Sequence, residues 1–135
     1  MFFQAKRIKY SNMEPGNEKK DNAILELCID FSLFVMDFCE ILKENRKFVF
    51  ADQILRAGTS VGANVFEAQS AESRDDFIHK MKIADKEASE TNYWLILCER
   101  SKHYPYSDEL MSKLNVIRSM ISRIIISARK NRPGK

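Results

Sequence analysis

The sequence predicts an all-α protein, an up-down-up-down four-helix bundle. Three observations carry that prediction. Apolar residues recur at helical spacing in four successive stretches, no stretch alternates apolar with polar as a half-buried strand does, and the breaks between stretches are short. With 135 residues, 44% hydrophobic and 30% charged, the chain is long enough for one domain with a substantial core. Residues 1–21 read as a basic, poorly ordered arm interrupted by Pro15-Gly16, and residues 132–135 as a basic tail. Between them, helices are expected at about 22–45, 48–70, 74–102 and 108–130. Met13 stands as an alternative start, since the residues before it add nothing to a periodic segment.

In the first helix Ile24, Leu27, Cys28, Phe31, Phe34, Val35, Phe38, Ile41 and Leu42 are apolar. They cover an arc of roughly 160°, wider than the stripe of about 100° that one core face needs. Glu26, Asp30, Asp37 and Glu40 gather on the other side. So wide a stripe predicts two buried contacts, one with the core and one with a partner chain.

In the second helix Ile54, Ala57, Val61, Val65 and Ala68 form the apolar face, while Gln53, Arg56, Ser60, Asn64 and Glu67 line the far side. The run Arg56-Ala57-Gly58-Thr59-Ser60-Val61-Gly62-Ala63-Asn64 superficially resembles a phosphate loop. It lacks the Gly-Lys-Ser/Thr ending, and no strand precedes it. Two glycines inside a helix cost roughly 1 kcal/mol each relative to alanine, so close helix–helix approach is the expected compensation.

Ser73-Arg74-Asp75-Asp76 reads as a capping box for the third helix. Its seam, Phe77, Met81, Ala84, Ala88, Thr91, Leu95 and Cys98, alternates steps of four and three. Small residues mid-seam are expected to face the small middle of the second helix. His103-Tyr104-Pro105-Tyr106 breaks the pattern, and Ser107 caps a fourth helix with Asp108 and Glu109 in its first turn. Leu110, Leu114, Ile117, Met120, Ile121, Ile124, Ile125 and Ala128 give its apolar face, and Pro133-Gly134 ends it.

No stretch approaches the roughly 18 apolar residues of a membrane span. The N-terminus also lacks the apolar run of a secretory signal, so no membrane association and a cytoplasmic location are expected. Cys28 and Cys39 lie roughly 16 Å apart along one helix, too far for a disulfide, and with Cys98 they read as buried free thiols. A di-iron bundle needs two Glu-x-x-His pairs, for which Asp76-Phe77-Ile78-His79 is the sole near-match. With only His79 and His103 present, no metal centre, cofactor or catalytic pair is expected, and the chain is not read as an enzyme.

Two sets of residues remain. Arg56, Ser60, Asn64 and Glu67, facing Glu87 and Glu90 of the third helix, are candidates for a polar packing or interface network in which Arg56 fixes helix register. A solvated helix face is the plainer alternative. Lys113, Arg118, Arg123, Arg129, Lys130 and Arg132, with Lys135, are candidate nucleic-acid contacts, because phosphate binding needs only positioned cations. The net charge of +3 conceals an uneven distribution: residues 104–135 carry seven basic and two acidic groups, and residues 21–47 three against six.

Gln53–Ala68 as a whole resembles the signature of the bacterial four-helix-bundle proteins encoded in 23S rRNA intervening sequences. Phe77-Ile78-His79-Lys80 and Ala84–Leu95 look like the same family, so the likeness spans about Gln53 to Leu97. It implies an up-down bundle assembled into a homopentameric ring. The family is also similar to the accessory variability determinant proteins of diversity-generating retroelements, which are pentameric, positively charged, bind nucleic acid and work with a reverse transcriptase. The implied partners are therefore further copies of the chain, RNA or DNA, and a reverse transcriptase where one is encoded alongside. The resemblance carries over no catalytic residue. Phe66 stands where a small residue is common, and the N-terminal arm is longer than usual. A non-enzymatic homo-oligomer associated with nucleic acid is the leading expectation, and a structural or protein-binding adaptor the alternative.

Overall fold

The computed structural model describes residues 19–131, and side chains from residue 23 onward. The expected arm up to residue 18, the tail and Arg132 lie outside the described residues. Four helices appear among them: α1 (Lys19–Glu44), α2 (Phe48–Ala68), α3 (Arg74–Arg100) and α4 (Asp108–Lys130), with no strand. Residues 19–21, read as part of the arm, open α1 instead.

Local chemistry explains where the helices begin and end. At α3 the Ser73 hydroxyl accepts from the Asp76 N–H at 3.0 Å, and the Asp76 carboxylate accepts from the Glu72 N–H at 3.1 Å. Two otherwise orphaned donors are satisfied by one pair of side chains. Ser107 does the same for α4, accepting from the Leu110 N–H at 3.1 Å. The end of α1 is a Schellman closure: Lys47 N–H donates to the Leu42 carbonyl at 2.8 Å and Arg46 N–H to that of Lys43 at 2.9 Å. Arg46 holds the left-handed position at φ 63°, which glycine usually occupies.

Packing contacts set the directions. Along α1 from Cys28 to Val35 to Cys39, the partners on α2 run backwards from Gly62 to Gly58 to Ala51. Ties between α2 and α3 run Arg56 to Glu87 and Glu67 to Lys80. Those between α3 and α4 run Arg74 to Ala128 and Ser89 to Arg118. Each neighbour is therefore antiparallel to the last. Contact is most extensive between α2 and α3, then α1 and α2, then α3 and α4, and least between α1 and α4. No diagonal pair comes within close backbone reach, so the helices stand in cyclic order and the α1–α2 edge lies opposite the α3–α4 edge.

The core is filled from all four helices, with Phe31, Leu42, Ile54, Met81, Leu95, Leu114 and Ile121 among its fully buried side chains. Thr91, the one buried polar residue among those described, donates its hydroxyl to the Glu87 carbonyl at 2.8 Å and so leaves no unpaired group. The glycines depart from expectation. They meet α1, not the small residues of α3: a Cβ on Gly58 would lie 2.8 Å and 2.9 Å from the two methyls of Val35, and one on Gly62 would lie 3.2 Å from the Cβ of Cys28. Ala84, Ala88 and Thr91 are buried in the seam as expected, and α2 and α3 share the most extensive backbone contact, while the two glycines themselves abut α1.

Candidate nucleic-acid interface

The polar stripe of α2 divides into two kinds of residue. Arg56 donates to Glu87 at 3.4 Å, to Gln53 at 3.4 Å and in a close pair to Glu90. Glu90 also accepts from the Trp94 indole N–H at 3.1 Å. Trp94 in turn meets the Phe50 ring edge-on at 5.2 Å. Glu67 pairs with Lys80 at 3.2 Å. These contacts tie α2 to α3 within one chain. Ser60 and Asn64, grouped with Arg56 in the expected network, turn back on their own helix and donate to the carbonyls of Arg56 (2.6 Å) and Ser60 (2.8 Å). A short polar side chain reaches the carbonyl one turn back more easily than a neighbouring helix. With the Arg56 side chain 51% exposed, the pair is a surface contact worth at most about 1 kcal/mol.

The expected cations also separate by position. Lys113 is committed to α1: its ammonium lies 2.7 Å from Asp30 and 4.8 Å over the Phe34 ring. The Asp30 hydrogen bond holds its pKa above the ordinary lysine value. Arg118 donates to the Ser89 hydroxyl at 3.4 Å, bridging α4 to α3. Arg123, Arg129 and Lys130 are exposed on α4.

The sequence reading missed a row on α3. Lys82, Lys86, Ser89, Tyr93 and Arg100 are all exposed, and steps of four, three, four and seven put them on one line of a helix with 3.6 residues per turn. Residues 74–103 carry as many acidic as basic groups, so a segment sum hides the row. Of the acids, Glu87 and Glu90 are engaged by Arg56 and Asp76 by the capping turn, while Asp75 and Asp85 lie along the row itself. Helical position would have revealed the row where net charge did not. With Ser89 and Arg118 at their junction, α3 and α4 form one cationic, hydroxyl-bearing edge that includes Lys82, Lys86, Arg118 and Arg129.

The opposite edge has another character. Ile29, Ser32 and Leu33 of α1 and Gly62, Ala63 and Phe66 of α2 line a shallow apolar groove floored by Cys28. Leu33 is 54% exposed and its neighbour one turn on, Met36, 49%. Glu26, Asp37 and Glu40 are exposed on the same helix. The thiols offer no reactivity: burial pushes Cys28 and Cys39 up to about 12 and Cys98 to about 11, and all three are free. Among the described residues no helix is long and apolar enough to cross a membrane.

A model of the 23S rRNA-intervening sequence protein family matches residues 20–123, from the first turn of α1 well into α4. Among solved structures, the chain is similar to a protein of unknown function from the S23 ribosomal protein family of Bacteroides thetaiotaomicron. The two share 38% sequence identity, the match covers 78% of this chain and 97% of that one, and the TM-score is 0.72. No curated protein matches the chain.

Proposed function

Because the chain belongs to the 23S rRNA-intervening sequence protein family, we propose that it works as a non-enzymatic, homo-oligomeric bundle that associates with RNA or DNA through its α3–α4 edge. One observation carries this reading: cations and hydroxyls gather on the edge diametrically opposite the exposed apolar groove. Assembly through the apolar edge would leave the cationic edge facing outward on every copy. Several weak patches held together bind far more tightly than one.

Retention of labelled RNA and DNA oligonucleotides tests the reading. Affinity is expected to fall steeply between about 50 and 200 mM salt, because bound cations displace condensed counterions. Replacing Lys82, Lys86 and Arg129 together by glutamine is expected to weaken binding and flatten the salt slope. Light scattering after size exclusion is expected to give a multiple of 15.7 kDa, and a clean monomer refutes the assembly.

The groove supports a second reading, a protein-binding adaptor that uses Leu33, Met36 and Phe66 and has no need of the cations. Failure to retain either nucleic acid at low salt, with assembly intact, favours it over the first.

A further inference from the structure

We propose that Tyr93 is a base-stacking position and that the α3–α4 edge takes single-stranded nucleic acid. This inference rests on the reading of that edge as a nucleic-acid interface. Tyr93 is 55% exposed in the last third of α3, in line with Lys86 and Arg100 seven residues to either side, about 10 Å away in each direction. An aromatic ring flanked by cations along one line is the arrangement that follows a sugar–phosphate backbone while stacking its bases. Duplex bases already stack on one another and present no free face, so this arrangement selects unpaired strands.

The ring is also backed by fixed neighbours. It meets the Trp94 ring at 5.5 Å and 62°. Trp94 is held by Phe50 at 5.2 Å and by its indole N–H on Glu90, and Glu90 is held by Arg56. The polar tie between α2 and α3 thus steadies the platform from behind. A pre-positioned ring spends less ordering free energy on binding than a free one. Ser89 and the Arg118 guanidinium lie one turn from Tyr93, within the same strip. The nearby carboxylates are Glu90, already paired, half-buried Asp85, and exposed Glu99 beside Arg100.

Trp94 is the sole tryptophan, so its emission reports directly on the ring beside it. The test titrates the full chain with RNA and DNA 12-mers, each single-stranded and as a duplex of the same sequence, in low salt. Single strands are expected to quench Trp94 emission and to bind more tightly than the duplexes; comparison of the two sugars identifies which strand is preferred. Tyr93→Ala is expected to weaken single-strand binding about tenfold with the salt slope unchanged, and Tyr93→Phe to retain it. Thermal melting confirms that both variants fold. Binding unchanged in Tyr93→Ala, an equal loss in Tyr93→Phe, or duplexes bound as tightly as single strands overturns the stacking role while leaving a nucleic-acid interface in place. No binding of any oligonucleotide overturns both readings together.

Discussion

The two opposite edges of this bundle are built on different principles. At the α1–α2 edge the helices meet by steric fit: Gly58 lies against Val35 and Gly62 against Cys28, with apolar side chains continuing outward into the groove. At the α3–α4 edge the helices are joined by polar reach, Arg74 to the Ala128 carbonyl at 3.2 Å and Arg118 to Ser89 at 3.4 Å. Steric fit tolerates little change, because a packed interior has no spare volume. Polar contacts at a surface tolerate much more, because water replaces them at little cost. The mutable, charged edge is therefore the one free to adapt to a ligand, and the tight edge is the one that defines the fold.

The largest effect that separates the edges comes from alkali. The folded pKa of each thiol lies above its unfolded value, so the stability it contributes is complete below about pH 8.5 to 9 and is lost as pH rises toward 11 or 12. Across that window each thiol costs about 1.4 kcal/mol per pH unit, and two of the three lie on α1. Unfolding free energies from urea titrations between pH 8 and 11 are expected to fall by several kcal/mol. Alanine at Cys28 and Cys39 removes most of the slope, and a slope that survives those changes contradicts the assignment.

Gly58→Ala places a methyl against both branches of Val35, whose stiff χ1 gives it nowhere to turn. Overpacking of this kind costs about 1–3 kcal/mol, of which better helix propensity returns roughly 1. Gly62→Ala meets its neighbour at 3.2 Å and is expected to be close to neutral. Equal denaturant midpoints for the two variants would remove the distinction between these glycines.

Smallest is the α2–α3 tie. Arg56→Lys loses the fork that reaches both Glu87 and Glu90, and is expected to lower stability by about 0.5–1 kcal/mol. If melting and assembly both stay unchanged, Arg56 has no role in helix register.

How much of this was legible beforehand depends on the kind of information involved. Helix starts were readable at Ser73 and Ser107 because a cap is a local chemical event, complete within four residues. Core membership followed from period, and the seam from Met81 to Cys98 is buried throughout. Which neighbour a buried face meets was not readable. Period gives the angle around a helix and says nothing about what stands there, so the glycines were set against α3 when they abut α1. Ser60 and Asn64 misled for a related reason: they share an angle with Arg56 but are too short to reach the next helix. The Lys82–Arg100 row was hidden by arithmetic, since the acids of α3, Glu87 and Glu90 turned toward α2 among them, cancel its bases in any sum along the chain.

The cyclic order has a further consequence. The seam between α1 and α4 is the weakest of the four, yet it is the one that closes the circle, clasped by Lys113 on Asp30. No loop joins these two helices, so parting them stretches no chain and costs only their shared contacts. The molecule is bound like a book, with α2 and α3 as the spine and the first and last helices as covers. Lys113 is the clasp.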